Sequence, residues 1–586
     1  MRQWMVAAKK ADFYAIAEKF HVDPVVARII RNREVIGEKN IRIYLGGNLS
    51  DLSDPHQMKD MDRLVEILAQ KIRKQVHIRI IGDYDVDGVT SSHLFLTALR
   101  RVGAKVDVVI PHRIQDGYGL SLHLLQQAKE DGVDTILTCD NGIAAIDEIA
   151  WAKAQKMTVL VTDHHAVPFE EHEGRRTEKK SLADAVVNPH QQDCGYPYKE
   201  LCGAGVAWNV IRVLYENYDM DKREAEDLLD FVAMATVCDV MSLTGENRIL
   251  VKEGLKRIRH TKNIGLQALM QACNVQPENI SAYHFGYVLG PCVNATGRLD
   301  TARHALRLFE TGQETEAEEI ARDLVDLNQE RKELTLQGVE MAKKLCEEGG
   351  YENDPVLVLF LPDVHESIAG LIAGRIREMY NRPVFVLTRG EEGVKGSGRS
   401  TENYSMYENM CGCAELFTKF GGHPMAAGLS LPEENVEKFR RKINENCPLT
   451  VEEVCPDIHI DMAMPVGYAS TELVHQFALL EPFGKDNPSP LFADRNLSIS
   501  RMWLIGKNRN VLRMSVLSEY GQPVPVIFFG DVETLFAYFT EKFGQKEVEN
   551  ALHGRKNRIL FSMVYTVKID FYQGNENLQL EMKYYR

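Results

Sequence analysis

Three short stretches concentrate acidic and imidazole side chains. GDYDVDG holds Asp83, Asp85 and Asp87, TCDNG holds Asp140, and TDHH holds Asp163, His164 and His165. Each directly follows a β-rich run, so in a parallel sheet all of them gather at the carboxyl edge, where open α/β folds bind ligands. So many carboxylates share one pocket only if something positive neutralises them, because like charges raise one another's pKa and burial is costly. Divalent cations are the simplest answer. Oxygen ligands in the majority with one or two imidazoles suit manganese or magnesium better than zinc. Two such ions roughly 3.5–4 Å apart clamp a phosphodiester, which makes hydrolysis the expected reaction. An acidic residue at a strand–helix turn is often only a helix cap, and an Asp-Gly pair only a turn. The joint occurrence at three strand ends is what favours a site.

The elements that position these groups are legible as an α/β pattern. Strands are expected at Val76–Ile81, Val106–Ile110, Thr135–Cys139, Thr158–Thr162 and Ala185–Val187. Between the first two, Phe95, Leu96, Leu99 and Val102 recur at helical spacing, and Gly103 stands where a helix would stop. A proline-free amphipathic stretch from Glu316 to Glu348 reads as one long helix joining two domains. Beyond it, strands at Val356–Phe360 and Val384–Leu387 flank a helix around Ile372–Tyr380, with Gly/Ser-rich turns expected at 396–400 and 420–428. After Pro456, short strands including Leu512–Val516, Val524–Phe529 and Ile559–Tyr565 suggest a C-terminal all-β, OB-like module.

Composition narrows the class. A chain of 586 residues is too long for one core. Its 44% apolar and 26% charged residues are ordinary for folded globular domains. No apolar window approaches a membrane span and the start carries no secretory pattern, so a cytoplasmic protein is expected. Its 11 cysteines form no framework, and Cys411 and Cys413 have the wrong spacing for a zinc knuckle, so reduced thiols are expected. A net charge of −15 argues against a protein that merely coats nucleic acid, but leaves room for a basic groove beside a carboxylate-rich site.

GDYDVDG, TCDNG, TDHH and TVCDVMSL around Asp239 resemble, in order and spacing, the four motifs of the DHH phosphoesterases. PHRIQDGYGLS, LCGAGVAWNV, ENR, GPCVNATGRL, VHESIAGLIAGRI, KGSGRS, GGHPMAAGL and EPFGKDNPSPLF resemble the RecJ branch, the single-stranded-DNA-specific exonucleases. The resemblance covers about residues 50 to 500. It implies an N-terminal segment (1–50), a DHH catalytic domain (51–255), a helical linker region (256–345), a DHHA1-like substrate-binding domain (346–450) and the OB-like domain (456–586).

On the same footing, the resemblance implies two Mn2+ or Mg2+ ions held by Asp85, Asp87, Asp140, His164 and Asp239, with Asp140 bridging and Asp83 beside them. His165 would face the scissile phosphate, and Asp163 would orient its neighbours. Arg113 and Tyr118 resemble DNA contacts near the metals. Arg298, Ser397 and Arg399 resemble an anchor for a terminal phosphate, with His423 nearby. Some positions depart from the family pattern: Ile81 stands where many DHH enzymes carry a histidine, and Val364, Glu366 and Pro424 stand where tryptophan, proline and alanine are common.

The implied activity is 5′-to-3′ hydrolysis of single-stranded DNA to mononucleotides in DNA repair and recombination, with a helicase and a single-strand-binding protein as possible partners. Trp503, Phe528 and Phe529 offer stacking platforms in the OB-like module, or core packing. Competing readings are a DHH phosphodiesterase for short oligoribonucleotides or cyclic dinucleotides, an inactive DNA-binding scaffold, and a small-substrate pyrophosphatase.

Overall fold

The computed structural model describes residues 3–586 apart from 114–115, 173–174, 352, 391–392, 507–509 and 573. Ile114 and Gln115 of PHRIQDGYGLS thus lie outside the described residues. The chain divides into two compact units, Leu49–Pro456 and Gln3–Asn48 with Asp457–Arg586.

The first unit is built around strands β1 (Ile78–Ile81), β2 (Val106–Val109), β3 (Thr135–Cys139), β4 (Thr158–Thr162) and β5 (Ala185–Val187). They pair in the order β2-β1-β3-β4-β5, all parallel. β1 and β3 are buried throughout, as a parallel sheet covered on both faces requires. One face packs under α1 (Val86–Arg101), α2 (Gly203–Asn217) and the helix Met61–Arg73. The other face packs under a separate cluster that includes Leu125 and Ile149. Register decides the site: Ile81 pairs with Thr138, and Thr138 with Val161. Asp83, Asp140 and Asp163 each lie two residues beyond these aligned positions, so three strand ends present a carboxylate at one level.

Helices α3 (Leu229–Cys238), α4 (Ile264–Ala272), α5 (Gly290–Leu299) and the long α6 (Glu314–Glu348) follow. Ala317, Ile320, Ala321 and Leu324 of α6 join the core of the first sheet, whereas Val339, Ala342 and Cys346 join that of the next. One continuous helix therefore belongs to both cores. A Cβ on Gly338 would lie 2.3 Å from Ile372 Cδ1, so the glycine is what allows α6 to approach the following helix.

The second sheet holds β6 (Leu357–Phe360), β7 (Val384–Gly390), β8 (Gly393–Arg399), β9 (Lys419–His423) and β10 (Ala426–Leu431), in the order β9-β10-β8-β7-β6, with α7 (Glu366–Tyr380) after β6. The turns expected at 396–400 and 420–428 are corrected here: both are mainly strand. Glycine serves a packing purpose, since a Cβ at Gly396 would lie 2.4 Å from Leu387 and one at Gly398 2.3 Å from Met406.

In the other unit, strands Met462–Ala463, Phe492–Ile505, Val511–Leu517, Pro523–Phe528, Asn575–Tyr585 and Leu560–Tyr572 pair in that order, and Phe492–Ile505 also pairs with Leu560–Tyr572 to close a barrel. Helices Thr471–Phe477, Val532–Phe543 and Gln545–Leu552 pack with it, which the strand-rich texture of the sequence had hidden. Residues 3–48 belong to this body. Trp4–Val6 pairs in parallel with Ile458–Ile460, and the Arg33 guanidinium forks onto Asp461 at 2.7 and 3.1 Å. Phe528 is core, Phe529 is exposed, and Trp503 lies half-buried with Arg501 and Arg513 near its ring. No described helix is long and apolar enough to cross a membrane.

Candidate active site

The carboxyl edge of the first sheet brings the acidic and imidazole groups together. His164 Nε2 lies 3.0 Å from Asp140 Oδ1, 3.6 Å from Asp87 Oδ2 and 3.6 Å from Asp239 Oδ2. Two overlapping trios, Asp87–His164–Asp239 and Asp140–His164–His165, each present ligand atoms close enough to hold one cation. Asp239 arrives from a distance in sequence, as the residue closing α3.

The electrostatics of the cluster are those of a site built for positive charge. Burial first, then Asp87, Asp85 and Asp239, push Asp140 well above the usual carboxylate range. Burial and then Asp85 do the same to Asp83. Burial and Asp85 raise Asp87 to about 6, against the hydrogen bonds it accepts from Gly203 N (2.6 Å) and Ala204 N (2.7 Å). Burial, with His165 beside it, holds His164 down at about 3. A neutral imidazole is the form that ligates a metal. Asp83 Oδ2, Asp140 Oδ1 and His164 Nε2 are buried without a hydrogen-bond partner. Nε2 is thus the ring nitrogen that His164 turns toward the carboxylates. Orphaned oxygens and one orphaned imidazole nitrogen converging on a point fit a divalent cation.

His165 is placed differently, with its side chain 40% exposed. Its Nδ1 meets Asp163 Oδ1 at 2.8 Å, and burial opposes its charge, but Asp163 with Asp239 and Asp87 raise it to about 9. Asp163 also accepts from the backbone N–H groups of Ile143, His164 and His165 at 2.9, 2.7 and 3.0 Å, as befits an orienting group. Tyr118 donates to the Asp140 carbonyl at 2.9 Å and lies 3.1 Å from His165 Nε2. Asp85 caps α1 by accepting from Gly88 N at 3.1 Å and borders the cluster outside both trios.

A cavity of about 590 Å³ adjoins Tyr84 and is lined by Arg113, Arg298, Ser367, Ser397 and Arg399. Arg113 lies 3.9 Å above the Tyr84 ring and donates through Nε to the Gly297 carbonyl at 2.9 Å. Arg298 donates to the Ser367 carbonyl at 2.6 Å, so its hydrogen bond runs to a carbonyl and leaves its charge for an anion. Burial first, then Arg113, Arg331 and Arg399, hold Arg298 down at about 10. Arg399 donates to Ser397 Oγ and the Gly398 carbonyl at 3.2 and 2.7 Å. The first turn of α7 also lines the cavity, adding a helix N-terminus to the guanidiniums. Glu366 pairs with Lys395 at 2.8 Å on the same wall. His423 is exposed at the end of β9 and is not among the cavity-lining residues.

Several positioning residues carry no signal of their own in the sequence. Asn141 donates to the Ile81 and Cys139 carbonyls at 3.0 and 2.8 Å, holding the turn in which Asp140 adopts φ 61°. Gly203 admits α2, since a Cβ there would lie 2.6 Å from that of Asp140. Asn294 of α5 accepts from Val86 N at 3.2 Å, completing the cap of α1. LCGAGVAWNV and GPCVNATGRL signalled these stretches only as matching words.

Family models match in the same order as the domains: DHH family, N-terminal domain, over residues 77–236; DHHA1 domain over 353–447; and RecJ OB domain over 460–584. The Single-stranded-DNA-specific exonuclease RecJ of Bacillus subtilis is 33% identical over 512 residues, 87% of this chain but 63% of that protein, so this chain spans under two thirds of that relative. Its Haemophilus influenzae counterpart is 32% identical over 582 residues, 96% of each chain. The crystal structure of RecJ in complex with Mn2+ from Thermus thermophilus superposes with a TM-score of 0.81 at 25% identity, covering 100% of this chain and 79% of that one. With that identity running nearly end to end through the Haemophilus protein, and three domain models in the expected order, the chain belongs to the RecJ family of the DHH phosphoesterases.

Proposed function

We propose that the protein is a metal-dependent exonuclease that hydrolyses single-stranded DNA, working 5′ to 3′ and releasing mononucleotides in DNA repair and recombination. The observation that carries this reading is the pairing of two unlike sites within one unit: a buried carboxylate–imidazole cluster fitted to cations, and a guanidinium-lined cavity fitted to a phosphate. Tyr84 follows Asp83 of the first and lines the second.

Asp87, Asp140, His164 and Asp239, with Asp85 and Asp83 bordering them, would hold two Mn2+ or Mg2+ ions. Such ions, when bound, polarise the phosphodiester and lower the pKa of water. The chain's own residues do the rest. Arg298 and Arg399 take the terminal phosphate in paired hydrogen bonds. Arg113, braced on Tyr84, holds the next stretch of backbone. His165, kept in orientation by Asp163, presents Nε2 beside Tyr118, where its proton can meet a phosphate oxygen. Partners such as a helicase or a single-strand-binding protein belong to the same reading.

The test is digestion of end-labelled single-stranded DNA, matched duplex and matched RNA, with Mn2+, Mg2+ or chelator, by wild type, Asp140→Ala and Arg399→Ala. Metal-dependent release of mononucleotides from the 5′ end, lost in Asp140→Ala and weakened in Arg399→Ala, is expected. Untouched long DNA alongside hydrolysed di- or trinucleotides or cyclic dinucleotides would overturn the reading.

A further inference from the structure

Away from the active site, α4 and α5 bring two thiols together. Cys273 closes the C-terminus of α4 and Cys292 lies in the first turn of α5, with the sulfurs 3.8 Å apart. The two are unequally accessible: Cys273 is partly exposed, while Cys292 is 2% exposed. Cys292 sits in a polar niche for a buried thiol, its Sγ 3.3 Å from the Val288 carbonyl and 3.4 Å from Asn328 Nδ2 of α6. The contact with Cys292 lowers the Cys273 thiol below its ordinary range, burial opposes, and Lys332 on α6 lowers it further, whereas the same contact and burial push the Cys292 thiol up. A thiolate is the reactive form of cysteine, and accessibility selects which sulfur reacts.

We propose that Cys273 and Cys292 form a peroxide-sensitive dithiol, in which Cys273 attacks, Cys292 resolves, and oxidation closes a disulfide between α4 and α5. In the first step Cys273 sulfur displaces one oxygen of hydrogen peroxide: an S–O bond forms, the O–O bond breaks, and one water leaves. Cys292 sulfur then attacks the sulfenic sulfur: the S–S bond forms, the S–O bond breaks, and a second water leaves. Two thiols and one peroxide thus become one disulfide and two waters.

A disulfide is about 2.05 Å long, so the sulfurs must close by roughly 1.7 Å from 3.8 Å. α5 cannot absorb that shift without consequence. It carries Asn294, which caps α1 beside the metal cluster, Gly297, which accepts from Arg113, and Arg298 in the phosphate cavity. Closure therefore acts on the helix that ties the two sites together. This consequence rests on the nuclease reading, whereas the disulfide itself does not.

The test treats the full chain with hydrogen peroxide, blocks remaining thiols, and maps the peptides by mass spectrometry. Expected are a Cys273–Cys292 crosslinked peptide in the wild type that disappears on thiol reduction, no oxidation of Cys292 in Cys273→Ser, and dimedone-trapped sulfenic acid on Cys273 in Cys292→Ala. Exposed Cys411 serves as the internal reference. Recovery of both Cys273 and Cys292 as free thiols when Cys411 is oxidised would overturn the proposal, and this needs only the wild type. Single-strand digestion by the crosslinked protein is expected to fall several-fold and to return on reduction. Full activity in a fully crosslinked sample would overturn the link through α5, while a crosslink in a protein inactive toward DNA from the outset would count against the nuclease reading alone.

Discussion

Asp140 Oδ1 and His164 Nε2 stand 3.0 Å apart in the interior, and neither makes a hydrogen bond. A buried polar atom left without a partner costs about 1–3 kcal/mol. The cluster therefore lowers the stability of the chain by itself, and a cation reverses the sign. Manganese should raise the wild-type melting temperature; a ligand at 100 times its Kd adds about 2.7 kcal/mol. Asp140→Ala should melt higher than the wild type without metal and respond little to manganese. A variant that melts lower without metal and still responds fully would show that Asp140 is no ligand.

Asn294 reaches from α5 to cap α1 from outside, its Oδ1 3.2 Å from Val86 N. Removing a capping side chain costs about 1 kcal/mol. Because Asp85 and Asp87 sit in the turn that this bond steadies, Asn294→Ala should also weaken Mn2+ binding, by roughly 10-fold, as loss of an outer-sphere partner does. Titration calorimetry with Mn2+ checks this, and an unaltered affinity in a variant destabilised by the expected amount would confine Asn294 to a structural role.

Gly370 of α7 faces the phosphate cavity, and a Cβ there would lie 2.7 Å from Arg399 Nη2 and 2.8 Å from Ser397 Oγ. Gly370→Ala should displace the Arg399 fork without touching the metal cluster. The expected result is a raised KM for 5′-phosphorylated strands with kcat nearly kept, and loss of any preference over 5′-hydroxyl ends. Arg399→Ala should behave alike. A fall in kcat at unchanged KM would place the cavity's role in chemistry and not in holding the strand end.

How much of this was legible before the fold depended on whether the cause was local. Thr135–Cys139, Thr158–Thr162 and Ala185–Val187 begin and end where read, because a strand buried on both faces is a short run of apolar and β-branched residues with no charge in it. Asp140 and Asp163, directly after the first two, follow from the same logic. The stretches 396–400 and 420–428 read as turns but are mainly strand, and for Gly396 and Gly398 the reason for glycine is the side chain of another element, Leu387 or Met406. Backbone donors leave no mark at all: Gly203 and Ala204 bind Asp87 through their N–H groups, which every residue but proline carries. The pairing of Trp4–Val6 with Ile458–Ile460 spans most of the chain and has no local signature.

Asp230, in α3, supplies a pH test away from the metal cluster. It is 3% exposed and accepts from Thr261 Oγ1 at 2.6 Å in the wall of a 930 Å³ cavity that also includes His93. Burial pushes its carboxyl up to about 6 from the ordinary 3.8, the Thr261 bond opposing. The native chain therefore keeps a proton that the unfolded chain has released between these two values. Stability from this group is fully present below pH 3.8, declines as pH rises toward 6, and levels off above. A shift of about two units corresponds to on the order of 3 kcal/mol across the window. Asp230→Asn keeps the shape and a hydrogen bond to Thr261 but cannot ionise. Its stability relative to the wild type should increase by that amount between about pH 4 and 7, with the slopes of all other groups cancelling in the difference. Parallel wild-type and variant curves from urea melts at each pH would mean that Asp230 ionises in the native protein as freely as in the unfolded one.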